Sequence, residues 1–194
     1  MNPPLSTLTA RAVHIPGENI DTDTIIPSRE IKGVGKTGLA DGLFANWRYL
    51  ENRRPNPDFA LNRPENRDSQ ILLSGANFGC GSSREQAVWA LKEYGFRVID
   101  AESFGEIFYK NCIQNGLLPI RLSKEAIETL ARKDAPLTLD LPARKLDGFG
   151  FDIAPADKAM LEGGLDATAL ILKDEDAITA FEEHHFRTQP WLNL

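Results

Sequence analysis

The sequence predicts an α/β fold with a parallel βαβ core and an added hairpin, on three observations. Short apolar runs at Ile71-Leu72-Leu73, Arg97-Val98-Ile99 and Leu117-Leu118-Pro119-Ile120 are separated by stretches of helical periodicity. Such strands pair in parallel, because a parallel pair needs a crossover long enough to hold a helix. Residues 137 to 153 alternate apolar and polar on both sides of a turn at Lys145 to Gly148, the pattern of an antiparallel hairpin. Finally, 194 residues at 42% hydrophobic and 26% charged have the size and composition of one globular domain.

In chain order, residues 1 to about 9 are expected to be flexible. Arg11 to Ile15 alternates as a strand and ends at Pro16-Gly17. Asn19 to Pro27 reads as a polar loop running into a short apolar strand at Ile25-Ile26, stopped by the proline. Asp21 and Asp23 in that loop suit Asx-turns better than a metal site, since no calcium-loop spacing follows. Ser28 to Gly38 is a polar, glycine-rich loop that leaves Arg29, Lys32 and Lys36 available to anions. Leu39, Leu43, Phe44 and Trp47 suit one face of a short helix. Residues 51 to 68 are rich in Pro, Asn and Arg, and read as a surface loop pinned by Phe59 and Leu61.

The central stretch runs from 70 to 95. After the strand at 71 comes Gly75-Ala76-Asn77-Phe78-Gly79-Cys80-Gly81-Ser82-Ser83-Arg84-Glu85, then Ala87, Val88, Leu91 and Tyr94 at helical spacing. Ser82 with Glu85 reads as a capping box, which starts the helix at or just after Ser82. A strand, a glycine turn and a helix N-terminus together aim free N–H groups and the positive dipole end at one spot. Ser82, Ser83 and Arg84 sit there, and a guanidinium matches a carboxylate in two-pronged fashion. The chemistry fits a small carboxylate or phosphate; a well-capped helix with a solvated arginine is the plainer alternative. A dinucleotide fingerprint fails because its third glycine position holds Arg84, and a P-loop ending at Gly35-Lys36-Thr37 fails because its first glycine position holds Glu30.

Further on, Ser103 to Asn115 reads as a helix capped by Ser103 and stopped by Gly116, and Ser123 to Lys133 as another. Helices follow at 155 to 163 and 174 to 186. Adjacent His184 and His185 cannot share a helix face as paired metal ligands do, so they read as a surface pair. The net charge of −6 and the lack of a dense basic cluster argue against nucleic acid. No apolar run is long enough for a bilayer and no secretory pattern opens the chain, so the expected location is the cytoplasm. Cys80 and Cys112 are too few for a disulfide framework or for an iron–sulfur cluster held by this chain alone.

Three stretches in this order and spacing resemble the small subunit of 3-isopropylmalate dehydratase, of the aconitase superfamily. They are Asn19 to Pro27, Gly75 to Glu85 and Phe104 to Pro119, and the resemblance spans about residues 10 to 190. It implies a single swivelling β/β/α domain. It also implies a hydro-lyase of leucine biosynthesis, active only with a large subunit, in a heterodimer or heterotetramer. The large subunit would carry a 4Fe–4S cluster, and the substrate would be a small dicarboxylate. Carried over, Ser82 is the catalytic base, Ser83 and Arg84 hold substrate carboxylate, Asp23 orients a group of the site, and Arg29 lies in the loop that sets side-chain preference. One departure stands out: many relatives have His after Arg-Glu, where this chain has Gln86. That keeps related diacids (citraconate, dimethylmaleate, homoaconitate) open beside isopropylmalate. A free-standing anion-binding module is the remaining alternative.

Overall fold

The structure, a computed structural model, describes residues 2–33 and 35–192. Two four-stranded sheets organise it. The first strands are β1 (Thr7–Ala10) and β2 (Ala12–His14), followed by helices α1 (Thr22–Ile25) and α2 (Ala45–Arg48). Then β3 (Ile71–Leu73), α3 (Glu85–Tyr94), β4 (Val98–Ala101), α4 (Glu106–Gln114) and β5 (Leu118–Arg121) alternate. Helix α5 (Lys124–Ala131) leads to β6 (Leu137–Asp140), β7 (Lys145–Leu146) and β8 (Phe149–Gly150). The chain finishes in α6 (Pro155–Gly163), α7 (Ala167–Ile171) and α8 (Glu175–Thr188).

Strands β2-β3-β4-β5 form the parallel sheet, as expected from the helical crossovers. Ile71, Leu72 and Leu73 are all wholly buried, because a parallel sheet is covered on both faces. One face, with Val13, Leu72 and Ile99, packs under α1, α3 and α4; the other, with Ile71, Leu73 and Val98, packs on α5, α6 and the antiparallel sheet β1-β6-β7-β8. The result is the β/β/α swivelling domain. Pro119 sits in β5, an edge strand, where its missing N–H costs least.

Four local expectations are corrected. The N-terminus is not free: β1 pairs with β6, Leu5 is buried, and Asn2 N–H donates to Gly164 O at 3.0 Å. One residue, Arg11, carries the chain from one sheet into the other. Ile25 and Ile26 do not form a strand; Asp21 caps one helical turn by accepting from Thr24 N at 2.6 Å, which realises the Asx-turn reading. The Leu39–Trp47 segment is a tight 3₁₀ turn and α2, broken at Phe44, whose backbone is left-handed (φ 49°). Helix α4 starts at Glu106 without a side-chain cap, because the Ser103 hydroxyl instead accepts from Asn77 N at 2.8 Å.

Candidate active site

The loop after β3 crosses the carboxyl end of the parallel sheet, and its course is set by backbone bonds to the segment before α1. Gly79 N–H donates to Ile20 O at 2.7 Å, and Thr22 N–H to Cys80 O at 3.0 Å. Thr22, itself buried, donates its hydroxyl to Ser82 O at 3.0 Å. Gly79 is held at φ +70°, and a Cβ there would lie 2.2 Å from the Phe108 ring, so both conformation and space require glycine. Beside it, Asn77 takes a left-handed φ of 58° and donates to Asn19 Oδ1 at 2.7 Å.

The helix does not begin at Ser82. It begins at Glu85, and Arg84 occupies the cap position without a side-chain bond. The capping box fails because Glu85 is engaged elsewhere: its carboxylate accepts from Asn115 Nδ2 at 2.7 Å and from Trp89 Nε1 at 3.3 Å. Arg84 N–H closes a turn on Ser82 O at 2.8 Å. Both residues, Ser82 and Ser83, are consequently presented on the exposed surface just before the α3 N-terminus.

Four of the five sequence-selected residues come together. Arg84 makes an ion pair with Asp23, so α1 and the loop meet through their side chains as well as their backbones. The guanidinium is three-quarters covered (26% exposed) and Asp23 is 56% exposed, so the pair orients more than it stabilises. Arg29 stands apart: it bonds the Asn46 side chain and lies 3.6 Å from Glu30, with no bond to Ser82, Ser83, Arg84 or Asp23 among the described residues. Lys36 is drawn onto α3, 5.1 Å over the Trp89 ring and 3.4 Å from Asn115 Oδ1. The far end of that loop is tied by Glu93, which accepts from the N–H groups of Gly38, Leu39 and Ala40. Burial pushes the Glu93 carboxyl up, but these three donors outweigh it and hold its pKa low.

Thr22, Glu85 and Asn115 were missed as positioning residues. A threonine beside an Asx cap carries no motif, and Asn115 looked like the end of a helix; only the fold joins it to Glu85, 30 residues away.

Ser82 and Ser83 face open solvent rather than an enclosed cavity. A separate cleft of about 240 Å³ lies at the same end of the sheet, on the α5 face, lined in part by His14, Ser74, Glu102, Lys124 and Glu128. Burial holds the His14 pKa below its ordinary value, against the pull of Glu128. Among the described residues no group of three or more His, Cys, Asp or Glu gathers as metal ligands do. Cys112 is wholly buried, and burial pushes its thiol well up. These residues do not fit an iron–sulfur cluster held within this chain.

Comparisons with known proteins agree with this architecture. Residues 2–125 match the family described as Aconitase C-terminal domain, and residues 170–194 match that of the C-terminal domain of the small subunit of 3-isopropylmalate dehydratase. The chain is 48% identical over 185 residues to a 3-isopropylmalate dehydratase small subunit of Psychromonas ingrahamii, covering 90% of this chain and 91% of that one. It is 47% identical over 191 residues to that of Geobacillus kaustophilus, covering 94% and 97%. A crystal structure of a 3-isopropylmalate dehydratase from Methanocaldococcus jannaschii superposes with a TM-score of 0.65 at 25% identity, covering 91% of this chain and 99% of that one.

Proposed function

The chain belongs to the 3-isopropylmalate dehydratase small-subunit family of the aconitase superfamily, and from that premise we propose that it is the small subunit of a two-subunit hydro-lyase. The pair removes water from 2-isopropylmalate to give isopropylmaleate, then returns it at the neighbouring carbon to give 3-isopropylmalate. The observation that carries this reading is the open placement of Ser82 and Ser83 beside the half-buried Arg84. Their backbone is bonded to the α1 segment, yet among the described residues no wall encloses a substrate beside them, which supports a site closed by a second chain.

The roles are those the family resemblance implies, and the pairing of Arg84 with Asp23 supports them. Arg84, paired with Asp23, takes a substrate carboxylate in two-pronged fashion, and the Ser83 hydroxyl adds a donor. Ser82 Oγ accepts the carbon-bound proton. A serine does this only if its alkoxide is stabilised, and the nearby α3 N-terminus and Arg84 supply positive potential there. A 4Fe–4S cluster on the large subunit would supply Lewis-acid chemistry at the departing hydroxyl. Arg29, outside this cluster of residues, is assigned to the loop that reads the substrate's side chain.

Reconstitution tests the reading. Ser82→Ala should lower kcat of the assembled pair by about 10²-fold or more, with affinity for the large subunit unchanged. Normal turnover by that variant would remove Ser82 from the chemistry. A related diacid is the second reading, favoured by Gln86 in the first turn of α3; equal or faster turnover of citraconate, dimethylmaleate or homoaconitate than of isopropylmalate would establish it.

A further inference from the structure

The C-terminal arm has no place in either core. Among the described residues, nothing beyond Leu170 joins the two apolar clusters, and α8, 14 residues long, buries none of its side chains. Yet the arm is not polar. Phe181 is 66% exposed and Trp191 70%, and Ile171, Leu172 and Phe186 are exposed as well. Phe181 stacks on His185 at 5.5 Å, one turn on, so these rings share a side of the helix. A helix of this length is marginal in water and depends on packing of an apolar face. Acidic Glu175, Asp176, Glu182 and Glu183 flank the aromatic residues and are exposed too.

The family boundaries say what covers it. Residues 2–125 match a domain that is the C-terminal part of aconitase, and is therefore held to the rest of that enzyme by the chain itself. In the curated small subunits that this chain matches over 91–97% of their length, the same domain stands on a separate chain, without that tether and without the high effective concentration a tether provides. The segment 170–194 lies outside that domain and matches the family described as the C-terminal domain of the small subunit. It coincides with the stretch that carries the uncovered aromatic residues.

We propose that this arm is the clasp that replaces the covalent tether: Phe181 and Trp191 dock into an apolar groove on the large subunit, with a basic rim facing the α8 carboxylates. The proposal rests on the reading of this chain as a small subunit. Binding of the full chain to the large dehydratase subunit from the same cells, purified anaerobically, tests it. Phe181→Glu with Trp191→Glu should weaken binding about tenfold or more, with the melting temperature of the isolated chain unchanged. Glu182→Lys with Glu183→Lys should also weaken it, and should flatten its dependence on salt. Binding by both variants at wild-type strength would overturn the clasp and leave the functional reading intact. A wild-type chain that binds no large subunit would overturn both. Self-association of the wild-type chain, abolished by Phe181→Glu while large-subunit binding persists, would assign the arm to a second copy and overturn the clasp.

Discussion

Two regions share the carboxyl end of the parallel sheet, one on each face. On the α3 face, the Gly75–Arg84 loop has its backbone bonded to the α1 segment and its serine hydroxyls bare. On the α5 face, a cleft has walls, and beside it in the sheet lies Asp100, wholly buried with neither carboxylate oxygen hydrogen-bonded among the described residues. In a parallel sheet, ligands bind at the carboxyl ends of the strands, but that rule does not choose between the faces. The difference is where the fold has placed rigidity: precise backbone with open functional groups on one side, a half-open cleft beside an orphan carboxyl on the other. The first carries Ser82, Ser83 and Arg84, the set on which the proposed dicarboxylate site rests.

Gly79→Ala should break the first region most severely. The new methyl meets the Phe108 ring in a backbone at φ +70°, and left-handed strain and overpacking together cost about 3 kcal/mol. Urea denaturation of the isolated chain measures it; an unchanged midpoint would show that the loop gives way freely.

Asp100→Asn acts on the second region and should stabilise the chain. Burial pushes the Asp100 carboxyl up to about 8. A carboxyl raised on folding favours the native state while it stays protonated. Its contribution is complete below the unfolded carboxylate pKa of about 4 and falls as pH rises toward about 8. Stability measured from pH 4 to 8 should therefore decline in the wild type, with a shallower decline in Asp100→Asn. The gain at pH 8 should be about 1–3 kcal/mol, since an amide is less costly to bury than a charge. Parallel pH profiles would show that Asp100 finds a partner in solution.

The smallest effect on stability, under about 1 kcal/mol, belongs to Asp23→Asn, because the Arg84 pair is partly exposed. In the assembled enzyme the same change should raise KM several-fold, as Arg84 loses its orientation. Unchanged kinetics would separate the ion pair from substrate binding.

Much of this was legible in the chain. Ile71 to Leu73 are apolar without interruption because both faces of their sheet are covered, and Ser123 caps α5 as read, accepting from Ala126 N at 3.3 Å. The Ser82 capping box was not borne out. Its partner Glu85 had a better-placed donor in Asn115, and a local motif yields when the fold offers a stronger bond. Strand β1 was invisible for a similar reason: Thr9 faces Thr138, and no local periodicity over four residues reports a partner that distant.

By itself the sequence determined the parallel core and the glycine turn before α3, because apolar runs and φ requirements are properties of neighbouring residues; Ser82, Ser83 and Arg84 were singled out by the motif resemblance they carry. Tertiary structure alone decided that Asp23 reaches Arg84, that Thr22 anchors the loop, that Arg29 stays apart, and that the C-terminal aromatic residues remain uncovered. Those are meetings, or failures to meet, between segments far apart in the chain. Packing and loop closure settle them, and local propensity carries no information about either.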